Sequence, residues 1–373
     1  MSFGGKEVNL RLYQQQLATD TLRALETHQR VAVVCPTGSG KTAMALVGIL
    51  PQMPQPVAWL THRTELAEQV AGYGVDVAVM TVQSSPDVSC FASIIIDEGH
   101  HVAASTYVRL VAMAPLAKVV ALTATPYRMD GVGLGACGFT ALVFGPDIYD
   151  LTKGGFLCQS VTLIPVSEST GSWSPVDCAQ RMASMEFRKS IAYCRSVADC
   201  KETAARLTEL GVSAAAVESN MRPEDRASEV RRFRFGNLRV LLNHSVLTEG
   251  FDCPEVDLVV LNRFTESRCL WRQMTGRGLR NADGKAGCVI LDLAANSATH
   301  GSIYDRELFT LEGSVERTEA RDAPDPEERG PSQFTYTKPE ELKIWKPCTS
   351  QILLLESLQR LKSTSPLRRL LTV

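Results

Sequence analysis

The feature that most constrains this chain is an apolar run that leads into a glycine-rich loop and then into a stretch of helical character. Residues 31–34 read VAVV, residues 35–42 read CPTGSGKT, and residues 41–50 favour a helix that ends before Pro51. A strand followed by such a loop and a helix points successive backbone N–H groups at a phosphate, beside the positive end of the helix dipole. The pattern therefore predicts a phosphate-binding loop in an α/β sheet, with a glycine-rich turn that binds no nucleotide as the alternative.

The side chains of this loop predict how ATP and Mg²⁺ would be held. Lys41 is expected to reach the β- and γ-phosphates, and the Thr42 hydroxyl to complete the Mg²⁺ shell. Cys35 stands where the general pattern has glycine, and a small residue is expected to suffice there. The loop residues predicted to bind nucleotide are Pro36, Thr37, Gly38, Ser39, Gly40, Lys41 and Thr42.

A second apolar run, residues 93–96, ends in two adjacent carboxylates, Asp97 and Glu98. Ligands of α/β sheets bind at the carboxyl ends of the strands, so both carboxylates are expected beside the loop. Asp97 is predicted to hold Mg²⁺, and Glu98 to orient and deprotonate the water that attacks the γ-phosphate. His100 is predicted to pass the state of this site to neighbouring elements. A zinc site at His100 and His101 is the alternative, but it lacks further ligands at suitable spacing.

Short β-rich runs alternate with helical stretches twice along the chain, over residues 30–124 and again over residues 191–291. Continuous apolar runs of this kind are typical of parallel strands covered on both faces. The glycine- and proline-rich interval 131–175 predicts a hinge. We therefore predict an α/β protein with two domains, residues 1–153 and 154–300, each a mainly parallel sheet flanked by helices.

The character of the sequence changes after residue 300. Residues 316–341 are rich in charge and proline, which predicts a linker within a tail that spans residues 301–373. Leucines at helical spacing over 352–361 predict a short helix, which either docks on the core or binds a protein partner.

Composition narrows the class of protein. The 373 residues suffice for two domains and a tail, and the net charge of −2 shows no overall basic excess for nucleic-acid binding, so any such binding must rely on a local groove. No apolar stretch approaches the roughly 20 residues that span a bilayer. The 11 cysteines form no C-x-x-C pair, which predicts reduced thiols in a cytoplasmic protein.

Up to about residue 302 these motifs resemble those of the superfamily 2 DExH-box helicases, which implies two tandem RecA-like domains and ATP-driven movement on nucleic acid. The segment LRLYQ, residues 10–14, resembles the adenine-recognition motif and implies base contacts by Arg11 and Gln14. The resemblance further implies coupling through Thr123 and Thr125 and nucleotide contacts at Gly250 and Asp252. The residues that it implies for nucleic-acid contact are Arg63, Gln83, Arg195 and Thr248.

The segment QMTGRGLR, residues 273–280, resembles the arginine-finger motif. Gln273, Arg277 and Arg280 lie four and three residues apart, so one helical face is expected to carry all three. Guanidinium groups neutralise charge on a transferring phosphoryl group, an effect worth about 10³ to 10⁵ in rate. A solvated basic helix face is the alternative.

The segment TPYRMDG, residues 125–131, looks like the branch that contains restriction-enzyme motor subunits and RadD-like DNA-repair helicases. The resulting hypothesis is an ATP-dependent DNA helicase or translocase, with DNA repair as the implied process, that hydrolyses ATP in the cleft between its two domains. DNA is favoured over RNA as the nucleic acid on which it moves. The alternatives are an RNA helicase, and a motor subunit or scaffold that acts through a partner nuclease or recombination protein bound by the tail.

Overall fold

The computed structural model describes residues 2–3, 6–7, 9–62, 67, 70–71, 73, 75, 77–101, 105–127, 131–165, 173–244, 253–313 and 315–325. These residues form two compact units. The first comprises Met1–Asp147 and a later segment, Arg306–Glu319; the second comprises Ile148–Asp305 and the described residues from Ala320 onwards.

The first unit contains a parallel sheet of six strands, preceded by a short antiparallel pair, β1 (Ser2–Phe3) and β2 (Lys6–Glu7). The parallel strands are β3 (Arg30–Val34), β4 (Val57–Thr61), β5 (Ala78–Thr81), β6 (Ser93–Ile96), β7 (Lys118–Thr123) and β8 (Ala141–Phe144). Their order across the sheet is β5-β4-β6-β7-β3-β8. The loops that follow β3, β7 and β6 therefore leave one edge of the sheet side by side.

The helices described in this unit are α1 (Leu12–Thr27), α2 (Lys41–Met44) and α3 (Ser105–Met113). Alternate residues of β3 serve the two faces of the sheet: Val31 and Val33 pack in the layer that contains Leu17 of α1, and Ala32 packs in the layer that contains Leu110 of α3. The helix predicted over residues 41–50 starts as α2 and continues as a π-turn, Ala45–Ile49.

The second unit repeats this architecture. Its parallel strands are β9 (Ser160–Leu163), β10 (Lys189–Cys194), β11 (Ala214–Val217), β12 (Val240–Asn243), β13 (Val256–Asn262) and β14 (Cys288–Asp292), in the order β11-β12-β10-β13-β14-β9. Its helices, within the described ranges, are α4 (Ile148–Lys153), α5 (Pro175–Ala183), α6 (Val197–Glu209), α7 (Pro223–Phe235), α8 (Arg268–Gly276) and α9 (Asn296–His300). The prediction of two mainly parallel α/β sheets is thus confirmed.

The interval 131–175, interpreted from its glycines and prolines as a hinge, contains more structure than expected. It holds β8, α4 and β9. Both strands are only four residues long and lie at the outer edge of their sheets. Edge strands are half-exposed, so they lack the long apolar run by which the central strands are recognised.

The segment after residue 300 also differs from the predicted linker. It forms an antiparallel hairpin of β15 (Arg306–Phe309) and β16 (Val315–Glu319), which belongs to the first unit. The Gly135 N–H donates to the Leu311 carbonyl at 2.7 Å, and the rings of Tyr127 and Phe309 lie 5.9 Å apart. A hydrogen bond to a distant loop and apolar contacts by Phe309 and Leu311 hold the hairpin. The remaining tail, including the helix predicted at 352–361, lies outside the described residues.

Two findings bear on the predicted environment of the protein. No helix within the described ranges has the length and apolar character needed to cross a membrane. The ten cysteines that the structure describes are free thiols, and all but Cys90 are buried.

Candidate active site

The loop between β3 and α2 curls around the amine of its own lysine. Gly38 and Gly40 have φ angles of 85° and 77°, in the left-handed region that favours glycine. The Lys41 ammonium donates to the carbonyls of Cys35 at 2.9 Å and Pro36 at 3.2 Å. The predicted phosphate-binding residues therefore form one tight turn with the lysine charge held inside it.

Cys35, the departure from the general loop pattern, is a packing residue in this structure. Its thiol points at the Pro146 carbonyl, 3.8 Å away, and a Cβ added at Gly145 would lie 2.6 Å from the sulfur. Burial raises the pKa of the Cys35 thiol above its ordinary value, with the nearby Lys41 charge opposing the shift. A buried, protonated thiol of this kind is a poor nucleophile.

The N-terminus of α1 braces the loop from outside. The Gln14 side-chain amide donates to the Ser39 carbonyl at 2.9 Å, and the Tyr13 hydroxyl donates to the same carbonyl at 2.7 Å. The Gln14 oxygen accepts the Arg11 N–H at 2.9 Å, which caps the helix. Arg11 and Gln14, the residues expected to contact adenine, are thus brought to the phosphate loop, and the adenine contact itself stays a prediction.

Asp97 and Thr42 meet at the carboxyl end of β6. The Thr42 hydroxyl lies near the Asp97 carboxylate and favours its ionised form, and the Glu98 N–H donates to Asp97 Oδ1 at 3.0 Å. Burial raises the pKa of Asp97 to about 6, the neighbouring Glu98 charge adds to the increase, and Lys41 opposes it. Glu98 itself has a φ of 51°, a left-handed conformation that is uncommon outside glycine and often found at functional sites.

This set of donors fits Mg²⁺. A hydroxyl and a carboxylate are oxygen ligands, and Mg²⁺ is usually held by one or two such groups together with substrate phosphates. Within the described part of the chain, no group of three or more His, Cys, Asp or Glu side chains is placed to hold a metal ion by itself. Thr42 and Asp97 therefore suit an ion that arrives with a nucleotide.

The segment after β7 runs beside the phosphate loop, where the two coupling threonines interlock. The Thr123 hydroxyl donates to the Thr125 carbonyl at 2.7 Å, and the Thr125 N–H donates back to that hydroxyl at 3.1 Å. The Thr123 carbonyl accepts the Cys35 N–H at 2.9 Å. Both threonines are buried, and the Cys35–Thr123 hydrogen bond joins the start of the loop to the predicted coupling motif.

A file of side chains leads away from Glu98 across the sheet edge. His100 Nδ1 lies 3.5 Å from Glu98 Oε2, and the His100 ring lies 4.2 Å from that of His101. The His101 ring stacks on His62, with centroids 4.4 Å apart and planes 20° from parallel. Gln83 Nε2 lies 3.3 Å from His62 Nδ1 and also donates to the His62 carbonyl.

The arginine-finger segment of the second unit corrects one expectation. Helix α8 ends at Gly276, so Arg277 caps it, and Arg280 lies beyond it in a bridge with Leu157. The glycine at the helix end disfavours a further turn, so one helical face does not carry all three residues. Gln273 and Arg277 are buried, and the Arg277 charge opposes the burial that raises the pKa of Tyr193 to about 12.

A buried lysine shapes the turn that carries Arg280. Lys285 is 3% exposed, and its ammonium donates to the carbonyls of Gly278 and Arg280 at 2.7 Å each and of Pro254 at 3.0 Å. Three carbonyls around one charge fix the backbone of this turn.

The residues expected to contact nucleic acid are only partly described. Arg195 is half-exposed, and its Nε donates to Asp199 Oδ2 at 2.8 Å, an exposed ion pair of the kind that contributes little to stability. Gln83 is exposed beside His62. Four predicted residues lie outside the described ones: Arg63, Thr248, Gly250 and Asp252.

Comparison with known families agrees with this arrangement. The family model for the type III restriction enzyme res subunit matches residues 7–77 and 75–128, and that for the helicase conserved C-terminal domain matches residues 175–282. A mitochondrial ATP-dependent helicase of Schizosaccharomyces pombe, irc3, is 30% identical over 348 residues, 76% of this chain and 57% of its own length. The chain is related to the superfamily 2 helicases. It thus spans little more than half of this helicase relative.

Solved structures show the helicase fold. A fragment of the HsdR subunit of a type I restriction enzyme from Vibrio vulnificus superposes with a TM-score of 0.63 at 20% identity, over 82% of this chain and 67% of the fragment. The type ISP restriction-modification enzyme LlaBIII bound to DNA superposes with a TM-score of 0.61 at 16% identity, over 77% of this chain and 28% of that enzyme. The predicted tandem RecA-like domains are confirmed, as is the predicted relation to restriction-enzyme motor subunits.

Sequence reasoning left several residues of this helicase-family site unassigned. Tyr13, His62, His101 and Lys285 carried no predicted role. His62 follows β4 directly and His101 closes the turn after β6, two strands that are neighbours in the sheet. That strand order was the missing signal, because it places the two histidines side by side.

Proposed function

We propose that this chain is an ATP-dependent DNA helicase or translocase that hydrolyses ATP with Mg²⁺ and uses the energy to move on or unwind DNA. One observation carries the proposal. Within the first unit, the Lys41 ammonium and the neighbouring side chains of Thr42 and Asp97 converge at one sheet edge, with Glu98 next to them. A cation, an oxygen-donor pair and a further carboxylate are the groups that phosphoryl transfer to water requires.

Each of these groups has a part in the proposed reaction. Lys41 neutralises the β- and γ-phosphates, while Thr42 and Asp97 hold Mg²⁺, which supplies further charge neutralisation on the phosphate oxygens. Glu98 orients the attacking water and accepts its proton. Arg277 and Arg280 contribute positive charge for the transferring phosphoryl group, and Gln273 positions it.

The choice of DNA over RNA is supported by the restriction-enzyme family model that matches the first unit. A superposed neighbour, LlaBIII, is bound to DNA. Binding through phosphates by Gln83 and Arg195, together with Arg63 and Thr248, reads no base and does not require a strongly basic chain. A partner nuclease or recombination protein, bound through residues 352–361, and a cytoplasmic location stay predictions.

The test is steady-state ATP hydrolysis by the purified chain without nucleic acid and with single-stranded DNA, duplex DNA, forked DNA and RNA of matched sequence. We expect DNA to stimulate hydrolysis and Lys41→Ala to abolish it at every substrate. Lys201→Ala serves as the matched control, because that exposed lysine pairs only with Glu218 on the second unit. Stimulation by RNA alone would contradict the assignment of DNA as the nucleic-acid substrate. A Lys41→Ala rate equal to that of wild type would contradict the assignment of ATPase activity.

A further inference from the structure

The file of side chains from Glu98 to Gln83 follows three neighbouring strands. His100 and His101 lie on the turn after β6, His62 is the first residue after β4, and Gln83 lies on the turn after β5. The sheet order places these strands side by side as β6, β4 and β5. A continuous set of contacts therefore runs from the carboxylate that is proposed to activate water to an exposed side chain that is proposed to touch the nucleic acid.

The arrangement is not that of a metal site. His62 and His101 stack face to face at 4.4 Å, so their nitrogen lone pairs lie in nearly parallel planes and do not converge on one point. Metal-binding histidines instead aim their ring nitrogens at a common ion. Stacked rings serve better as a mechanical contact, because moving one plane displaces the other.

Burial changes steadily along the file. His100 is 5% exposed, His62 and His101 are partly buried, and Gln83 is exposed. The Gln83 amide is directed at the His62 backbone carbonyl and ring. A phosphate oxygen that draws this amide away would alter the contacts of His62 directly, and those of Glu98 through the two stacked rings and His100.

We propose that His101 and His62 are positioning residues that form a stacked relay, through which nucleic acid bound at Gln83 sets the position of Glu98 and so stimulates ATP hydrolysis. The relay rests on the proposed function, since it assumes a nucleic-acid-stimulated ATPase. It assigns roles to two histidines, and the turn that carries His101 also contains Gly99. A Cβ at Gly99 would lie 2.8 Å from the Ala121 Cβ, so only glycine lets this turn lie close against β7.

The experiment compares the ratio of stimulated to basal ATPase rates for wild type, His101→Ala, His101→Phe and His62→Ala. The probe is the nucleic acid that stimulates the wild type most. We expect His101→Ala and His62→Ala each to lower the ratio about fivefold or more, and the double variant to lower it no further, because both break one path. His101→Phe, which retains an aromatic face for stacking, is expected to keep most of the ratio.

His28→Ala is the control, since that histidine hydrogen-bonds Thr140 at 2.9 Å elsewhere on the first unit, and it should leave the ratio unchanged. Thermal melting identifies any variant that fails to fold. If an alanine variant fails to fold, the proposal is judged by comparing the ratio of stimulated to basal ATPase rates in His101→Phe with that in wild type. A wild type that no nucleic acid stimulates would overturn the proposed function. A stimulated wild type whose ratio survives His101→Ala, or falls equally in His101→Phe, would overturn the relay alone.

Discussion

The side-chain amide of Gln14 donates to the backbone carbonyl of Ser39 at 2.9 Å, so the first helix of the chain holds the phosphate loop in its curled form. A buried hydrogen bond of this kind contributes about 1 to 1.5 kcal/mol. We expect Gln14→Ala to raise the KM for ATP about tenfold, since the loop must then be ordered by the nucleotide itself. Steady-state kinetics over a range of ATP concentrations would measure this.

The neighbouring Gln15 provides the control for that prediction. It is exposed, and its side chain donates to the Leu10 carbonyl at 2.8 Å without reaching the loop. Gln15→Ala should leave the KM for ATP unchanged. Equal effects of the two substitutions would mean that Gln14 acts only through the stability of α1.

Asp97 is predicted to limit the stability of the metal-free protein at neutral pH. Its pKa in the folded chain is about 6, against an ordinary value of 3.8, mainly because of burial. The folded state therefore disfavours the ionised form, at a cost of roughly 3 kcal/mol that is present above pH 6 and fades as the pH falls towards 4. In EDTA, Asp97→Asn should melt at a higher temperature than wild type at pH 8, with no difference at pH 4.

Replacing a second buried aspartate, Asp292, by asparagine should have the opposite effect and lower the stability of the folded chain. Asp292 accepts hydrogen bonds from the Asn296 and Ser297 backbone N–H groups at 3.0 and 2.6 Å, and from the side chains of the same residues at 3.0 and 2.7 Å. Asp292→Asn turns an amide donor towards these donors and should destabilise the second unit by roughly 2 to 4 kcal/mol. If both variants lower the melting temperature at pH 8, burial is not the dominant influence on Asp97.

Gly133 is predicted to control the docking of the hairpin formed by β15 and β16. A Cβ at Gly133 would overlap the backbone of Leu311 and Gly313. Gly133→Ala should destabilise the first unit by roughly 1 to 3 kcal/mol and increase hydrogen exchange over residues 306–319. Gly131→Ala is the control, because it introduces conformational strain without steric overlap. The φ of Gly131 is 83°, but a Cβ there has no neighbour within 4 Å. Unchanged exchange of the hairpin in Gly133→Ala would contradict the prediction.

Lys285 is predicted to hold the turn of Arg280. Lys285→Met removes the ammonium donor from three backbone carbonyls and should cost roughly 2 to 3 kcal/mol in the free energy of unfolding. Urea denaturation would measure this cost, and the ATPase kcat should fall as well if Arg280 assists the reaction. Lys201→Met removes only an exposed ion pair with Glu218 and should change stability by less than about 1 kcal/mol.

The parts of this structure that were predictable from sequence are those encoded locally. The loop from Cys35 to Thr42 and the pair of Asp97 and Glu98 each follow a buried strand, so their meeting at one sheet edge follows from the parallel topology alone. The stack of His62 on His101 depends on which strands are neighbours, a fact that no short segment contains. Likewise the hairpin depends on a loop far away in the chain.

That hairpin has a consequence for how the protein is made. The first unit is assembled from two stretches of chain, residues 1–147 and 306–319, with nearly all of the second unit encoded between them. A ribosome therefore synthesises the second unit before it supplies the last two strands of the first. The N-terminal stretch can collapse early, yet it reaches its final form only after residues 306–319 have been made, so nascent chains stalled between these two stretches should keep the loop of Gly133 and Gly135 uncovered.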